Sequence, residues 1–342
     1  MSWYNTSGPC QNYVLFSKVR YIRNLAKHNF SSLLDQKRAQ DAMNKLDKIL
    51  TSNGFSGEST VSGVNPAILS LAERQLVERD FVYSDRPRAL YLNDPCNLVI
   101  AIGGEELISI SSVAAGLSVI EAKNKASEAE ETIDREMSFA YSENIGYLSP
   151  NIANCGSGIT FSVALYLPSL RLENSAEQIK SDLSSLGMSL TEMFTHECVD
   201  LYVLSYTPHY LADEDSAAVH FSDTVASIAE KEKSRLGIIF SGKGKIIYDA
   251  ARRSFGALLY CESMGEGEML SHLCSIRLSH CICPESGAST LPQITDINFL
   301  TAEGLCASVT ATSKEVCASL SDCERMRASL ISKYIDHKSE VK

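Results

Sequence analysis

Two basic side chains on one short segment could grip a polyphosphate. Lys18 and Arg20 alternate with other residues in the stretch 12–23, whose pattern predicts a β-strand. Residues two apart in a strand point to the same face, so the two cations could bind neighbouring phosphate oxygens. The alternative, which the local pattern favours, is an exposed edge strand whose charges are simply solvated.

A second candidate anion site is the bend Gly156-Ser157-Gly158, which enters a stretch of alternating small and apolar residues that ends at Pro168. Because glycine lacks a Cβ atom, backbone N–H groups at such a bend could approach an anion closely. An ordinary turn before a buried strand would use the same residues. The bend is therefore either an anion site or an ordinary turn before a buried strand.

Two further motifs lack what their chemistry needs. The segment 237–244 nearly spells a phosphate-binding loop, but Gly244 offers no hydroxyl for Mg²⁺, and a helix precedes the segment where a strand is required. A group of zinc-ligand residue types has spacing that matches no common zinc pattern. We interpret that group as helix core and expect no metal site: His272, Cys274, His280, Cys281 and Cys283.

The elements that must position these residues change in character along the chain. Up to about residue 240, helical and strand patterns are mixed, and from Ile246 onward the pattern is helical almost throughout. Helices are predicted at 33–50, 66–79, 117–139, 175–186 and 214–236. Strands are predicted at 12–23, 89–93, 98–102, 107–112, 188–194 and 200–206, and a Ser/Gly-rich loop runs through Gly63.

Composition narrows the class of function. The 342 residues carry a formal net charge of −11, which argues against nucleic acid or an anionic membrane as a partner. No apolar run reaches the roughly 18–20 residues of a membrane span, and the first residues lack the features of a signal peptide. The 11 cysteines are scattered and form no C-x-x-C pair, which favours reduced thiols and a cytoplasmic location.

The stretch 145–168 resembles the signature loop and strand of the ATP:guanido phosphotransferases. It keeps the frame of that pattern at Gly146, Tyr147, Leu148, Asn154, Gly156, Gly158, Ser162, Val163, Leu167 and Pro168. The stretch 16–25 is similar to the family's nucleotide strand, and residues 71–79 resemble a helix of its bacterial protein-arginine kinases. The resemblance implies an α+β fold, in which an antiparallel sheet flanked by helices (glutamine-synthetase-like) precedes an all-α domain.

The same resemblance implies that residues which carry the chemistry have been replaced. Asn151 stands where the family has its reactive Cys, and Gly104 where it has a catalytic Glu. Glu105 could substitute for that Glu if the hairpin slipped by one residue, but the preferred interpretation is a Gly-Gly hairpin with two solvated acids, Glu105 and Glu106. In the nucleotide site, Lys18 replaces one arginine and Arg20 is kept. Three further arginine positions hold Ser109, Thr160 and Thr191, and Glu197 could be a remnant of a substrate loop.

The C-terminal part is similar to the helical domain that dimerises in the protein-arginine kinases and bears a phospho-arginine receptor motif. Glu324 and Arg327 fall on that motif, while Cys323 replaces its first arginine, so the pocket is expected to be degenerate. The resemblance implies two domains, at 1–240 and 246–342, and a homodimer. Its implied partners are a Clp ATPase or a zinc-finger activator protein, with Mg-ATP as cofactor if nucleotide binding is retained.

Two functions follow from the resemblance. One is a kinase-like scaffold without transferase activity, which acts as an adaptor or regulator in protein quality control. The other is a divergent active kinase that transfers the ATP γ-phosphate to protein arginine with Lys18, Arg20 and a repositioned Glu105.

Overall fold

An eight-stranded antiparallel sheet forms the centre of the molecule in the computed structural model. The structure describes residues 2–26, 36–61, 66–73, 77, 79–83, 88–93, 97–196, 199–283, 291–312 and 319–340. The strands are β1 (Val14–Arg23), β2 (Ser56–Val61), β3 (Arg88–Leu92), β4 (Leu98–Ile102), β5 (Ile108–Ala115), β6 (Tyr141–Ser142), β7 (Gly146–Tyr147), β8 (Ile159–Tyr166), β9 (Met188–Glu192) and β10 (Leu201–Tyr206). The sheet order is β2-β3-β4-β5-β1-β8-β10-β9, and β6 pairs with β7 separately.

Twelve helices accompany the strands in the described part of the chain. They are α1 (Gln36–Ser52), α2 (Pro66–Glu73), α3 (Arg79–Val82), α4 (Val119–Asp134), α5 (Pro168–Leu172), α6 (Ala176–Ser185), α7 (Glu214–Ile239), α8 (Gly244–Tyr260), α9 (Glu266–Ile282), α10 (Ile294–Glu303), α11 (Cys306–Thr312) and α12 (Leu320–Glu340). None of those helices is both long and apolar enough to cross a membrane.

The two faces of the sheet are covered by different parts of the chain. Side chains of one face, such as Val19 and Tyr21 of β1, form a core with α1, α4 and α7. On the other face, Phe16 of β1 belongs to a second core that includes the N-terminal Trp3 and the C-terminal helices. The rings of Trp3 and Phe16 are 4.6 Å apart. The second face is therefore apolar at the Phe16 end and becomes polar further along β1.

The C-terminal helices α8–α12 share this second core with the sheet. Residues of α9 and α10, such as Met269 and Ile297, lie in one buried cluster with Phe16 and Ala164. The Tyr166 hydroxyl of β8 donates to the carbonyl oxygen of Cys274 at 2.9 Å. The predicted boundary at 240–246 coincides with the junction of α7 and α8, while the division into two domains stays a prediction.

Most elements agree with the sequence patterns, and two differ. The fold class is α+β, as predicted, and the segment 237–244 joins α7 to α8 as expected. The Ser/Gly-rich stretch before Gly63 was expected to be a loop, but its residues 56–61 form β2. As an edge strand, β2 pairs with β3 alone and does not need an apolar pattern on both faces. The helix predicted over 66–79 is two helices, α2 and α3.

Candidate active site

Lys18 and Arg20 lie on the second face of the central strand, beside a row of hydroxyl side chains. Arg20 is paired across the sheet with Ser111 of β5 and Thr160 of β8, and Lys18 is paired with Ser162. Directly opposed residues of antiparallel strands share a face, so the cations and these hydroxyls line one surface. We call this set the hydroxyl face: Ser109, Ser111, Thr160, Ser162, Ser205 and Thr207.

Hydroxyl groups on this face bond to one another. The Oγ atoms of Ser162 and Ser205 are 3.0 Å apart, and the Oγ1 atoms of Thr160 and Thr207 are 3.2 Å apart. Each pair needs no ionic partner, because a hydroxyl both donates and accepts. The surface next to Arg20 therefore carries neutral hydrogen-bonding groups.

A small pocket of about 40 Å³ opens at the Arg20 end of this face. It brings together four residues that the sequence singled out: Arg20, Gly104, Glu105 and Ser109. The rest of the lining is Ile22, Phe81, Ala101, Glu106 and Asn154. A volume of this size holds roughly three water molecules, given about 10–15 Å³ for each. The hairpin between β4 and β5 thus supplies one wall of the pocket and β1 supplies its floor.

Glu106 is a member of this site that the sequence interpretation missed. Its side chain is only 7% exposed. It accepts hydrogen bonds from Ser149 Oγ at 2.5 Å, Asn154 Nδ2 at 2.9 Å and Asn24 Nδ2 at 2.6 Å. The carboxylate thereby joins the hairpin, the loop after β7 and the end of β1. Two of its donors, Asn24 and Asn154, match the family pattern, but that pattern does not indicate that both contact Glu106.

Asn151, in contrast, lies outside the pocket lining and is exposed. Its Oδ1 accepts a hydrogen bond from the Ala153 N–H at 3.1 Å and so caps the short helix 152–154. The nearest thiol of the same loop is Cys155, whose Sγ accepts from the Ser149 N–H at 3.3 Å. Asn151 is thus used for a turn rather than for the pocket.

Thr160 and Thr191 are also absent from the pocket lining. Thr160 is next to Arg20 on the hydroxyl face, whereas Thr191 is exposed on the edge strand β9. Three strand spacings separate β9 from β1, which is roughly 14 Å. Thr191 therefore lies far from Arg20, and Glu197 lies outside the described residues.

The Gly-Ser-Gly bend is occupied by an arginine rather than being open to an anion. Gly158 has a φ of +59°, and a Cβ there would come within 2.5 Å of Arg23 Nη1. That guanidinium donates to the Gly158 carbonyl at 2.9 Å, lies 3.5 Å from the centre of the Tyr147 ring and pairs with Glu130 at 2.7 Å. Burial raises the pKa of Glu130, and Arg23 opposes this shift. The structure favours the ordinary turn.

Comparison with known proteins fits this architecture. A family profile described as the C-terminal catalytic domain of ATP:guanido phosphotransferase matches residues 35–234. The chain belongs to the ATP:guanido phosphotransferase family. This confirms the resemblance inferred from the signature stretch.

Relatives of this guanido phosphotransferase chain are named protein-arginine kinases. That of Pelotomaculum thermopropionicum is 23% identical over 287 residues, with 81% of this chain and 80% of the relative covered. That of Halothermothrix orenii is 24% identical over 285 residues, with 81% of each covered. The likeness thus extends beyond the residues that the family profile matches.

Solved guanido kinases show the same fold. A lombricine kinase superposes with a TM-score of 0.56 at 16% identity, covering 67% of this chain and 68% of that one. The duplicated taurocyamine kinase of Schistosoma mansoni, solved with bound transition-state-analogue components, gives a TM-score of 0.58 at 20% identity. That match covers 71% of this chain and 35% of the duplicated chain, so this chain spans about a third of its length. The α+β prediction is confirmed.

The residues predicted to fall on a phospho-arginine motif differ in burial: Arg327 is buried and Glu324 is half-buried. Arg327 is 2% exposed, and its guanidinium donates to the carbonyls of Gly304 at 2.6 Å and Met264 at 2.8 Å. Glu324 accepts from the Ser263 hydroxyl at 3.3 Å. Because backbone carbonyls accept from Nε and Nη1 and Nη2 faces Glu266 and Cys323, the guanidinium stabilises helix packing and is turned away from solvent.

Proposed function

We propose that this chain is a pseudokinase, that is, a guanido phosphotransferase scaffold that acts through protein contacts and does not transfer phosphate. The observation that carries this is the composition of the pocket and the hydroxyl face. Among the described residues that line the pocket, Arg20 is the only cation, and Ser109 and Thr160 hold two of the expected arginine positions.

Phosphoryl transfer depends on cations that neutralise charge spreading over the transferring group. Removing one charge-stabilising donor typically costs about 2.7–4 kcal/mol of barrier. Serine and threonine hydroxyls that are already paired with one another cannot replace the charge of arginine. We therefore expect transfer close to the uncatalysed rate, even though such losses are not additive.

The described pocket supplies one cation, where a transferring enzyme would surround Mg-ATP with several. Arg20 lines the described pocket of about 40 Å³, whereas Lys18, which is 7% exposed, is not part of its lining. No step of the proposed function therefore runs through bound nucleotide.

The alternative is a divergent active protein-arginine kinase. In its favour, Arg20 and Glu105 line the same pocket, and Lys18 lies two residues from Arg20 on the same face. The relatives of this chain also carry the name protein-arginine kinase. In this function Glu105 would orient the guanidinium of the substrate, and Mg-ATP would supply the phosphoryl group.

A phosphotransfer assay separates the two functions. The full chain is incubated with radiolabelled Mg-ATP and an arginine-rich protein, alongside Arg20→Ala and the surface control Arg252→Ala. We expect no label on protein arginine above background in any of the three. Transfer by the wild type and Arg252→Ala that Arg20→Ala abolishes would overturn the pseudokinase proposal.

By family analogy we further propose a cytoplasmic homodimer that works as an adaptor or regulator in protein quality control. Its partners would be a Clp ATPase or a zinc-finger activator protein. Analytical ultracentrifugation and co-purification with those two classes of protein test this part, and a monomer that binds neither would contradict it.

A further inference from the structure

Two cysteines on neighbouring helices bring their thiols together in the C-terminal part of the chain. Cys306 begins α11 and Cys323 lies in the first turn of α12, and their Sγ atoms are 2.9 Å apart. A disulfide needs an S–S distance of about 2.05 Å. Closing the bond would thus require a movement of roughly 1 Å.

Polar contacts hold the two thiols in this position. The Cys306 N–H donates to Glu266 Oε2 at 3.0 Å, and the same carboxylate oxygen lies 3.6 Å from Arg327 Nη2. That Arg327 atom donates to Cys323 Sγ at 3.8 Å. Arg327 thus lies beside the Cys323 sulfur, which is the sulfur that would close the disulfide.

Other buried thiols of the same region are suited to packing only. Burial raises the pKa of Cys274 and of Cys281 to about 12, so both stay protonated and unreactive. What distinguishes Cys306, which is half-buried, is that its sulfur lies next to that of Cys323, a residue that is 2% exposed. A small reagent could thus reach the Cys306 thiol, whereas the Cys323 thiol is buried beside it.

We propose that Cys306 and Cys323 form a redox-active pair that a low-molecular-weight disulfide oxidises to an intramolecular disulfide. The Cys306 thiolate attacks one sulfur of the reagent, which forms a mixed disulfide and releases one reagent thiol. The Cys323 thiolate then attacks the Cys306 sulfur and releases the second reagent thiol. The two protein thiols lose two electrons and two protons, and the reagent disulfide gains them.

The bond would tie α11 to α12 across the segment between them. Helix α11 packs on α2, and α2 contacts α3, whose Phe81 lines the candidate pocket. Closing a loop between two sites restricts the unfolded chain and so raises stability. The oxidised protein should therefore melt at a higher temperature than the reduced protein.

The test uses the reduced full chain treated with oxidised glutathione under native conditions. We expect the chain to titrate two fewer thiols than the 11 it has when reduced, and non-reducing peptide mapping to yield a Cys306–Cys323 cross-link. The melting temperature should rise on oxidation in the wild type and in the matched control Cys261→Ser. It should stay unchanged in Cys306→Ser.

Three outcomes would overturn the proposal. They are retention of all thiols, a stable mixed disulfide with glutathione at Cys306, and a cross-link from either cysteine to Cys317. Since mapping of the wild type needs no substitution, a variant that failed to fold would not obscure the result.

Discussion

Arg23 and Glu106 are two buried charged residues that hold the candidate site together from opposite faces of the sheet. Arg23 fixes the bend at Gly158, and Glu106 fixes the hairpin against the loop after β7. Neither forms a covalent or metal link, and each acts through hydrogen bonds of 2.5–2.9 Å. Stability and site geometry are therefore coupled at these two positions.

Glu106→Gln should destabilise the protein by about 1–3 kcal/mol, because the amide N–H₂ group of glutamine would face hydrogen-bond donors that now bond to a carboxylate. Urea unfolding measures the change. Glu105→Gln, at the exposed neighbour, serves as the matched control and should stay within about 0.5 kcal/mol. Equal effects of the two substitutions would show that the three donors do not depend on the Glu106 charge.

The pH dependence of stability should report on Glu232, whose buried carboxyl accepts from the Ser169 N–H and hydroxyl. Burial raises the pKa of Glu232 above its ordinary value of 4.5, and the Ser169 hydrogen bonds oppose the shift. The folded state therefore binds this proton more tightly than the unfolded state. Its contribution is complete below pH 4.5 and is lost as the pH rises through the raised pKa.

Relative to Glu232→Gln, the wild type should thus lose stability as the pH is raised from 4.5. Unfolding by urea at a series of pH values gives the difference. Glu230→Gln, on an exposed turn of the same helix, should run parallel to the wild type. A wild-type curve parallel to Glu232→Gln would contradict the raised pKa.

At the scale of elements, substitution of Gly158 in the bend before β8 can be compared with that of Gly187 to distinguish steric clash from backbone strain. Gly158→Ala meets both a left-handed φ of +59° and the Arg23 guanidinium, so we expect a loss of about 3 kcal/mol. Gly187→Ala has a φ of +74° with no atom within 4 Å, so only the backbone strain of about 1–2 kcal/mol applies. Denaturant midpoints give both values, and similar losses would mean that Arg23 moves aside freely.

Elements were easier to predict from the sequence than the contacts between them. The alternation in 12–23 predicted β1, and the signature stretch predicted β8, because periodicity is a local property. The edge strand β2 has no such periodicity. Glu106 could not be assigned because its three donors come from residues 24, 149 and 154, which only the folded chain brings together.

Prediction from the sequence has the same limit for single residues of the candidate site, because their contacts form only in the folded chain. The family resemblance singled out Arg20, Gly104, Glu105 and Ser109, and all four line one pocket. The resemblance also placed Arg327 on a receptor motif. Whether that guanidinium faces solvent depends on the carbonyls of residues 264 and 304, and the motif contains no information about them.

At the scale of the whole molecule, one core joins the sheet to the C-terminal helices. Residues from β1, β8, α9 and α10 lie in a single buried cluster, so removing the helices would expose much of one sheet face. We expect the full chain to unfold in one cooperative transition and a truncated chain ending at residue 240 to lose cooperative unfolding. Calorimetry and near-ultraviolet circular dichroism measure this. A truncated chain that melts sharply would establish 1–240 as an independent domain.

The hydrogen bond between Thr160 and Thr207 also determines what an arginine at position 160 would disturb. An arginine at position 160 would leave the Thr207 hydroxyl without this partner and would lie directly beside Arg20, since positions 20 and 160 are cross-strand neighbours. The first effect of that arginine would be repulsion from the like charge of Arg20, before any attraction to a bound phosphate could offset it. A change elsewhere on the sheet would therefore have to accompany an arginine at this position.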